Sequence, residues 1–551
     1  MQLIISRKQI FTRYILLAFL FMGISHIVNA QQMDAAWYLK NAPFKMPEVI
    51  VPVFANKCFS IKDYGGISDG QTLNTLAFRK AIDACVTAGG GKVVVPPGLW
   101  LTGPIELQSN INLEVQRGAL ILFTKDHSQY PIIKASANST SYVPASPIYG
   151  YDLKNIAITG EGIIDGGGES WRPVKKEKVT AGQWKDFTSS GGVVNKNGSI
   201  WWPTKEAMDG EQYLKDLKKK KGEITPADYL PARDYLRPYM VYLINCENIL
   251  LENVTIRNSP KFVFYPNSCT NLTMRHVNIF NEWWAQNGDG IDISRCKNVL
   301  VYDCTVSAGD DGICMKSSGA SKDDINTANL ENIVIAKCVV YHAHGGFVIG
   351  SNTDGGMQNI FVTDCNFIGT DIGIRVKSNA GRGGLVKNIY VSNIFMKDIV
   401  DDAISFNTYY EDMPAGKIKD NGVRVIRDKT PFFKDFYFDN IYCNGAKNAV
   451  SITGLPEMPV SSLHFKNMVI SADHGFDATD AADLDLTNVK IIAPKEPLYM
   501  LHSVKNINID HGYFQPSGKV FVKADDKTTG VNVTDTDLQS KNVIVLDGKT
   551  N

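Results

Sequence analysis

Four short polar interruptions punctuate a chain otherwise rich in alternating apolar residues: Asn287-Gly288-Asp289-Gly290, Gly309-Asp310-Asp311-Gly312, Ala343-His344-Gly345-Gly346 and Arg375-Val376-Lys377. Together they offer three carboxylates, an imidazole and two cations. Cleavage of a glycosidic bond needs two carboxyl groups, one protonated to serve the leaving oxygen and one ionised to activate water or to attack directly. Neighbouring acids repel, and the repulsion can hold a proton on one of them near neutral pH. A cationic pair beside them suits an anionic sugar. Taken singly, Asp-Gly and Asn-Gly are ordinary turn formers, a lone histidine is most often structural, and Arg-x-Lys on a strand is usually a solvated face. The joint arrangement carries the argument, and the flanking glycines are expected to let a substrate approach the backbone.

The elements that must position these groups are legible as a repeat. A unit beginning with asparagine and continuing with alternating Val, Ile or Leu starts at Asn248, Asn271, Asn298, Asn332, Asn359 and Asn388, at spacings of 23, 27, 34, 27 and 29 residues. Weaker copies stand at Asn155, Asp435, Ser462, Asp483 and Asn506. The alternation predicts strands, and a strand unit that recurs every 20 to 30 residues buries its apolar face only by stacking on its neighbours. The expectation is an all-β fold, a right-handed parallel β-helix with about three short strands per coil; the leucine consensus of a horseshoe repeat is missing. Phase then predicts proximity. Asp310 and His344 each lie twelve residues after a repeat asparagine, and Asp289 and Lys377 each eighteen, so the members of each pair are expected on the same face, stacked at about one rung per repeat.

Cysteines follow the same phase: Cys246, Cys269 and Cys296 lie two before the asparagine, and Cys304, Cys338 and Cys365 six after it. Stacked parallel Cβ vectors suit disulfide geometry poorly, so two inward columns of free thiols are expected. Thr75 to Val86 places Ala77, Ala81, Ile82 and Cys85 on one helical face and predicts a helix capping the solenoid. The repeat breaks between about 170 and 236, where Trp171, Trp184, Trp201 and Trp202 stand. A long insertion is expected on the binding face, where it could turn an open groove into a pocket. Its aromatic rings could stack on sugars or simply pack the insertion.

Residues 1–30 read as a signal peptide, with Arg7, Lys8 and Arg13 before an apolar run and Val28-Asn29-Ala30 at the cleavage point. The expected organisation is an N-terminal extension over 31–57 and a β-helix domain over 58–551, exported to the periplasm or the medium without a membrane anchor. Lys plus Arg equals Asp plus Glu at 57 each, which argues against a nucleic-acid partner.

Asn-x-Asp, Gly-Asp-Asp, x-His-Gly and Arg-x-Lys, in this order on a β-helix repeat, resemble the polygalacturonases of glycoside hydrolase family 28. Asp63-Tyr64-Gly65-Gly66 with Asp69-Gly70, Gly160-x-Gly162-x-x-Asp165-Gly166 and Arg237-Pro238 extend the resemblance from about residue 58 to beyond 410. Gly288 replaces the usual threonine and Ala343 the usual glycine. The resemblance implies an inverting hydrolase acting on galacturonan or pectin without metal or cofactor. In it Asp310 is the general acid, Asp289 and Asp311 activate water, and His344 orients the acid. It also implies that Asn287, Arg375, Lys377 and Tyr409 bind the sugar. Rhamnogalacturonan- or xylogalacturonan-directed hydrolysis is the alternative within the family. A calcium-dependent lyase or a non-enzymatic adhesin would share the fold, but neither accounts for this set of motifs.

Overall fold

The computed structural model describes residues 33–136, 139–319, 328–410, 426, 429–514, 518–534 and 545–547. The expected signal peptide lies outside them. No helix among the described residues is long and apolar enough to cross a membrane. The described residues 33–41 belong to a unit separate from the rest and hold the helix Ala35–Lys40, capped by the Asp34 carboxylate on the Trp37 N–H.

The repeats form a right-handed parallel β-helix, built as three parallel ladders. One runs through Lys154–Thr159, Glu247–Glu252, Thr270–Arg275, Lys297–Tyr302 and Leu330–Ala336. A second runs through Ile163–Asp165, Thr255–Arg257, Asn278–Phe280, Thr305–Ser307 and Val339–Tyr341. The third, which carries the site, runs through Phe264–Asn267, Ile291–Ser294, Asp311–Lys316, Gly345–Ile349, Ile374–Lys377, Asp402–Asn407 and Asn448–Thr453. From Met357 onward the first two ladders merge into strands of twelve residues or more.

The repeat asparagine turns out to be a corner. Asn155, Asn248, Asn271, Asn298, Asn332, Asn359 and Asn388 all have φ between 53° and 60°, the left-handed region that asparagine tolerates better than other side chains. Each amide donates to the carbonyl of the asparagine one coil earlier, from Asn248 on Asn155 at 2.9 Å to Asn388 on Asn359 at 3.3 Å. A second positive-φ corner follows five residues later, at Asn253, His276, Asp303, Lys337, Asp364 and Asn393. Between the corners the alternate residues, such as Ile249 and Leu251 or Ile333 and Ile335, point into one continuous core. Each such side chain contributes roughly 1.5–3 kcal/mol by leaving water. The weaker copies at Asp435, Ser462, Asp483 and Asn506 take the same conformation, because all four side chains are short and polar.

All ten cysteines are free thiols, and all but Cys58 are buried. Cys246, Cys269 and Cys296 form one column and Cys304, Cys338 and Cys365 another, their thiols donating to carbonyls of the coils. The capping helix spans Thr75–Thr87 and buries Phe78 besides the four predicted residues, closing the end of the core.

The insertion leaves the ladders after Asp165 and returns at Val241. It forms its own antiparallel sheet from Val174–Lys175, Ile200–Trp202 and Val193–Val194, with helices Ala181–Ser189 and Lys205–Leu217. Two of its tryptophans do packing. Trp171 is fully buried, stacked on His127 at 3.4 Å with Tyr130 edge-on at 5.0 Å. Trp201 is buried and donates its indole N–H to the Gly191 carbonyl. Neither ring is a sugar platform.

Candidate active site

The third ladder brings the four motifs together. Asp310 and His344 stack as their phase predicts: the His344 N–H donates to the Asp310 carbonyl at 2.8 Å, and Nδ1 lies 2.9 Å from Asp310 Oδ1. Asp289 and Lys377 do not stack. Ile291 pairs with Ile313, which puts Asp289 across from Asp311, and the Gly290 N–H donates to the Asp311 carbonyl. Ile291 is twenty residues after Asn271 whereas Ile313 is fifteen after Asn298, so the loop over 281–290 shifts the phase by five. Lys377 nevertheless reaches Asp311, with Nζ 2.8 and 3.1 Å from its two oxygens.

Lys377 is therefore paired with Asp311. Both side chains are buried, and an unpaired charge there would be costly. Arg375 is freer: its guanidinium lies 3.7 Å from Asp311, and Nη1 donates to the His344 carbonyl at 3.4 Å. The ring against these cations is that of Tyr410, with Lys377 at 4.9 Å, Arg375 at 5.4 Å and Arg382 at 5.7 Å from its centroid. Tyr409 sits one residue earlier, half-buried, its N–H on Asn407 Oδ1. The Asn287 side-chain oxygen accepts from Arg237 at 2.8 Å.

Packing requires these glycines. A Cβ at Gly290 would fall 2.4 Å from Val306 Cγ1, at Gly312 2.5 Å from Val340 Cγ1, and at Gly309 2.4 Å from the Ala285 carbonyl oxygen. Gly288 is crowded too, with Ala285 Cβ and its carbonyl oxygen each at 2.8 Å, which accounts for glycine where the family pattern has threonine.

Three residues escaped the sequence reading although they complete the site. Asp292 and Lys316 sit on neighbouring strands of the same ladder, 2.6 Å apart, and Lys316 is also 3.4 Å from Asp289. The signal was present: within Ile291–Ser294 and Asp311–Lys316 the inward residues are apolar, so Asp292 and Lys316 must face out toward the motifs. Lys178, from the insertion, lies 2.7 Å from His344 Nε2; no periodicity links it to the ladder.

Electrostatics separate the acids. Burial, with repulsion from Asp292 and Asp310, holds the Asp289 carboxyl well above the usual range. Burial also pushes Asp292 up to about 6 against the pull of Lys316. Burial is the largest influence on Asp310 and acts the same way, but the His344 contact and the Lys377 ammonium together outweigh it and leave this carboxyl below its ordinary value. Lys377, Lys316 and Arg375 overcome burial at Asp311 and hold it well below. Of the three acids, Asp289 is the one whose surroundings favour the shared proton, a choice that like-charge repulsion alone leaves open. One Asp289 oxygen, Oδ1, is buried with no partner among the described residues, as a group awaiting a water or substrate would be. Donor atoms of Asp310, Asp311 and His344 lie within 4.8 Å of one another, a spacing that could hold a cation. Lys377 and Arg375 already supply positive charge at Asp311 and Lys178 at His344.

A parallel β-helix with clustered carboxylates and cations on one ladder has the groups that hydrolysis of a glycosidic bond needs. Comparison with known proteins narrows the chemistry. The glycosyl hydrolases family 28 profile matches residues 174–482, more than half of the chain, and the protein belongs to that family of O-glycosyl hydrolases. It is 28% identical over 472 residues to an exo-poly-alpha-D-galacturonosidase of Dickeya chrysanthemi, covering 82% of this chain and 74% of the relative. It is 27% identical over 421 residues to a probable polygalacturonase of Vitis vinifera, covering 75% and 74%. The crystal structure of an exopolygalacturonase from Thermotoga maritima superposes with a TM-score of 0.62 at 26% identity, covering 77% of this chain and 89% of that one.

Proposed function

We propose that the enzyme hydrolyses α-linked galacturonic acid residues of pectin with inversion, after export to the periplasm or medium. The observation that carries this reading is the interleaving of Asp289, Asp310 and Asp311 with Lys316, Arg375 and Lys377 on one face of the ladder. Such a face binds an anionic sugar and keeps acids in two protonation states. Asp310 is the general acid. It is the most exposed of the three carboxylates and carries the histidine. A galacturonate carboxylate arriving beside it disfavours its ionised form and draws the shared proton over from Asp289. Asp289, now ionised beside Asp311, accepts the proton of the attacking water. Arg375 holds a substrate carboxylate, and Lys377 keeps Asp311 ionised.

Aryl oligogalacturonides separate the roles, because a good leaving group needs no acid. Asp310→Asn is expected to lose about two to four orders of magnitude in kcat on galacturonan and to keep near-normal release of a low-pKa phenol. Asp289→Asn is expected to lose both. The reverse pattern exchanges the two roles, and an unsaturated product would mean a lyase.

The insertion favours attack at chain ends, since it reaches the catalytic coils with Lys178 on His344 and Arg172 on Glu282. Early release of mono- or digalacturonate supports this mode; an early ladder of mixed oligomers with a rapid fall in viscosity sinks it.

A further inference from the structure

Lys178 belongs to the insertion, at the end of the short turn Lys176–Lys178. Its Nζ lies 2.7 Å from His344 Nε2 and donates to the Gly309 carbonyl at 3.2 Å. Both partners belong to the motifs that carry the acid: Gly309 precedes Asp310, and His344 binds it. Asp371 stands further off, 3.8 Å from the same imidazole nitrogen.

The chemistry of this contact is directional. An ammonium group has only protons to give, so the imidazole nitrogen facing it must accept. The imidazole proton then lies on Nδ1, which donates to Asp310 Oδ1 at 2.9 Å. The Asp311 N–H donates to the same oxygen at 3.1 Å. With two donors on Oδ1, the transferable proton of Asp310 is directed to Oδ2. Without Lys178, His344 is free to carry its proton on Nε2 and turn a lone pair toward Asp310, which would draw the proton to Oδ1, away from the leaving oxygen.

We propose that Lys178 is a positioning residue for the general acid: it fixes the tautomer of His344 and so places the proton of Asp310 on the oxygen that serves the leaving group. The insertion thereby completes the catalytic chemistry, beyond any effect on where chains enter. The inference rests on Asp310 being the acid.

The test uses the full-length enzyme with Lys178→Met, Lys178→Gln and Lys178→Arg, each checked for an unchanged melting temperature. Lys178→Met is expected to lower kcat on galacturonan about 10- to 100-fold, within the range general acid catalysis supplies, with KM within about threefold. The loss should shrink toward nothing on aryl oligogalacturonides as the phenol pKa falls. Lys178→Gln and Lys178→Arg can both donate to Nε2 and are expected to recover most of kcat. An unchanged kcat in Lys178→Met overturns the proposal, as does a rise in KM alone, which would make Lys178 a sugar-binding group. A loss independent of leaving group also overturns it. If Lys178→Met fails to fold, the slope of kcat against leaving-group pKa in Lys178→Gln decides: a wild-type slope supports the proposal, and a steeper one overturns it. Asp310→Asn separates the two levels: if it retains activity on galacturonan the acid assignment itself fails, whereas if it loses activity and Lys178→Met does not, only this inference fails.

Discussion

The catalytic coils around Ile291–Lys377 and the later coils around Asp402–Leu501 share one scaffold and differ in what they show to solvent. Inward, the register is unbroken: Ile313, Phe347, Ile374, Ile404, Val450 and Phe476 stack in one column of the core. Outward, Asp292, Cys314, Val348 and Arg375 continue as Ser405 and Ser451, and Lys377 continues as Asn407 and Thr453. Asp292 and Lys377 are buried charges in the catalytic coils, whereas the same positions over 402–453 carry serine, asparagine and threonine, and a carboxylate returns, exposed, only at Asp477. The stack is therefore held by its inward column, and the outward column is free to carry chemistry at a local electrostatic cost.

The largest expected effect breaks the comparison at its charged end. Lys377→Met strands Asp311 and should cost about 3–5 kcal/mol in denaturant unfolding, whereas Thr453→Ala, two rungs on in the same ladder, should barely register. A comparable loss in both would mean that the outward column is structural throughout. Next, Ile313→Ala and Ile404→Ala should each cost about 2–5 kcal/mol and by similar amounts, since both are fully buried in the same column. A much smaller cost in the catalytic coils would show that their charges, not their core, hold them.

Arg375→Gln sharpens the functional side. It should reduce kcat/KM on free galacturonan by an amount worth about 1.5–3 kcal/mol and spare methyl-esterified substrate, while Lys377→Met harms both alike. Equal damage by Arg375→Gln on the two substrates would return Arg375 to a structural role.

Asp289→Asn probes the electrostatic cost itself. A carboxyl held above its unfolded pKa binds its proton more tightly when folded. The penalty for ionising it is thus absent below about pH 4 and grows as pH rises toward the folded value. Asn removes that penalty, so the variant should be more stable than the parent by roughly 1–3 kcal/mol at pH 8 and equal to it at pH 4. A gain that persists at pH 4 would have another origin. The smallest effect is Ser451→Ala, expected within about 0.5 kcal/mol and without change in activity.

The sequence by itself determined the solenoid, its inward columns, its thiol columns and its capping helix. These depend on local periodicity, which stacking reproduces coil after coil. It also determined that Asp310 lies beside His344, because the extra residues of the 34-residue repeat between Asn298 and Asn332 fall after Asp310 and leave the twelve-residue offset from each asparagine intact. Only the tertiary structure decided the rest. The loop over 281–290 moved Asp289 five positions against its phase and set it across from Asp311, and Lys377 turned to that same acid. Asp292 and Lys316 became a buried pair only once the strand faces were fixed. Lys178 lies 166 residues from His344 in sequence, in a segment with no repeat, and only the folding of the insertion onto the ladder could bring its ammonium to that imidazole.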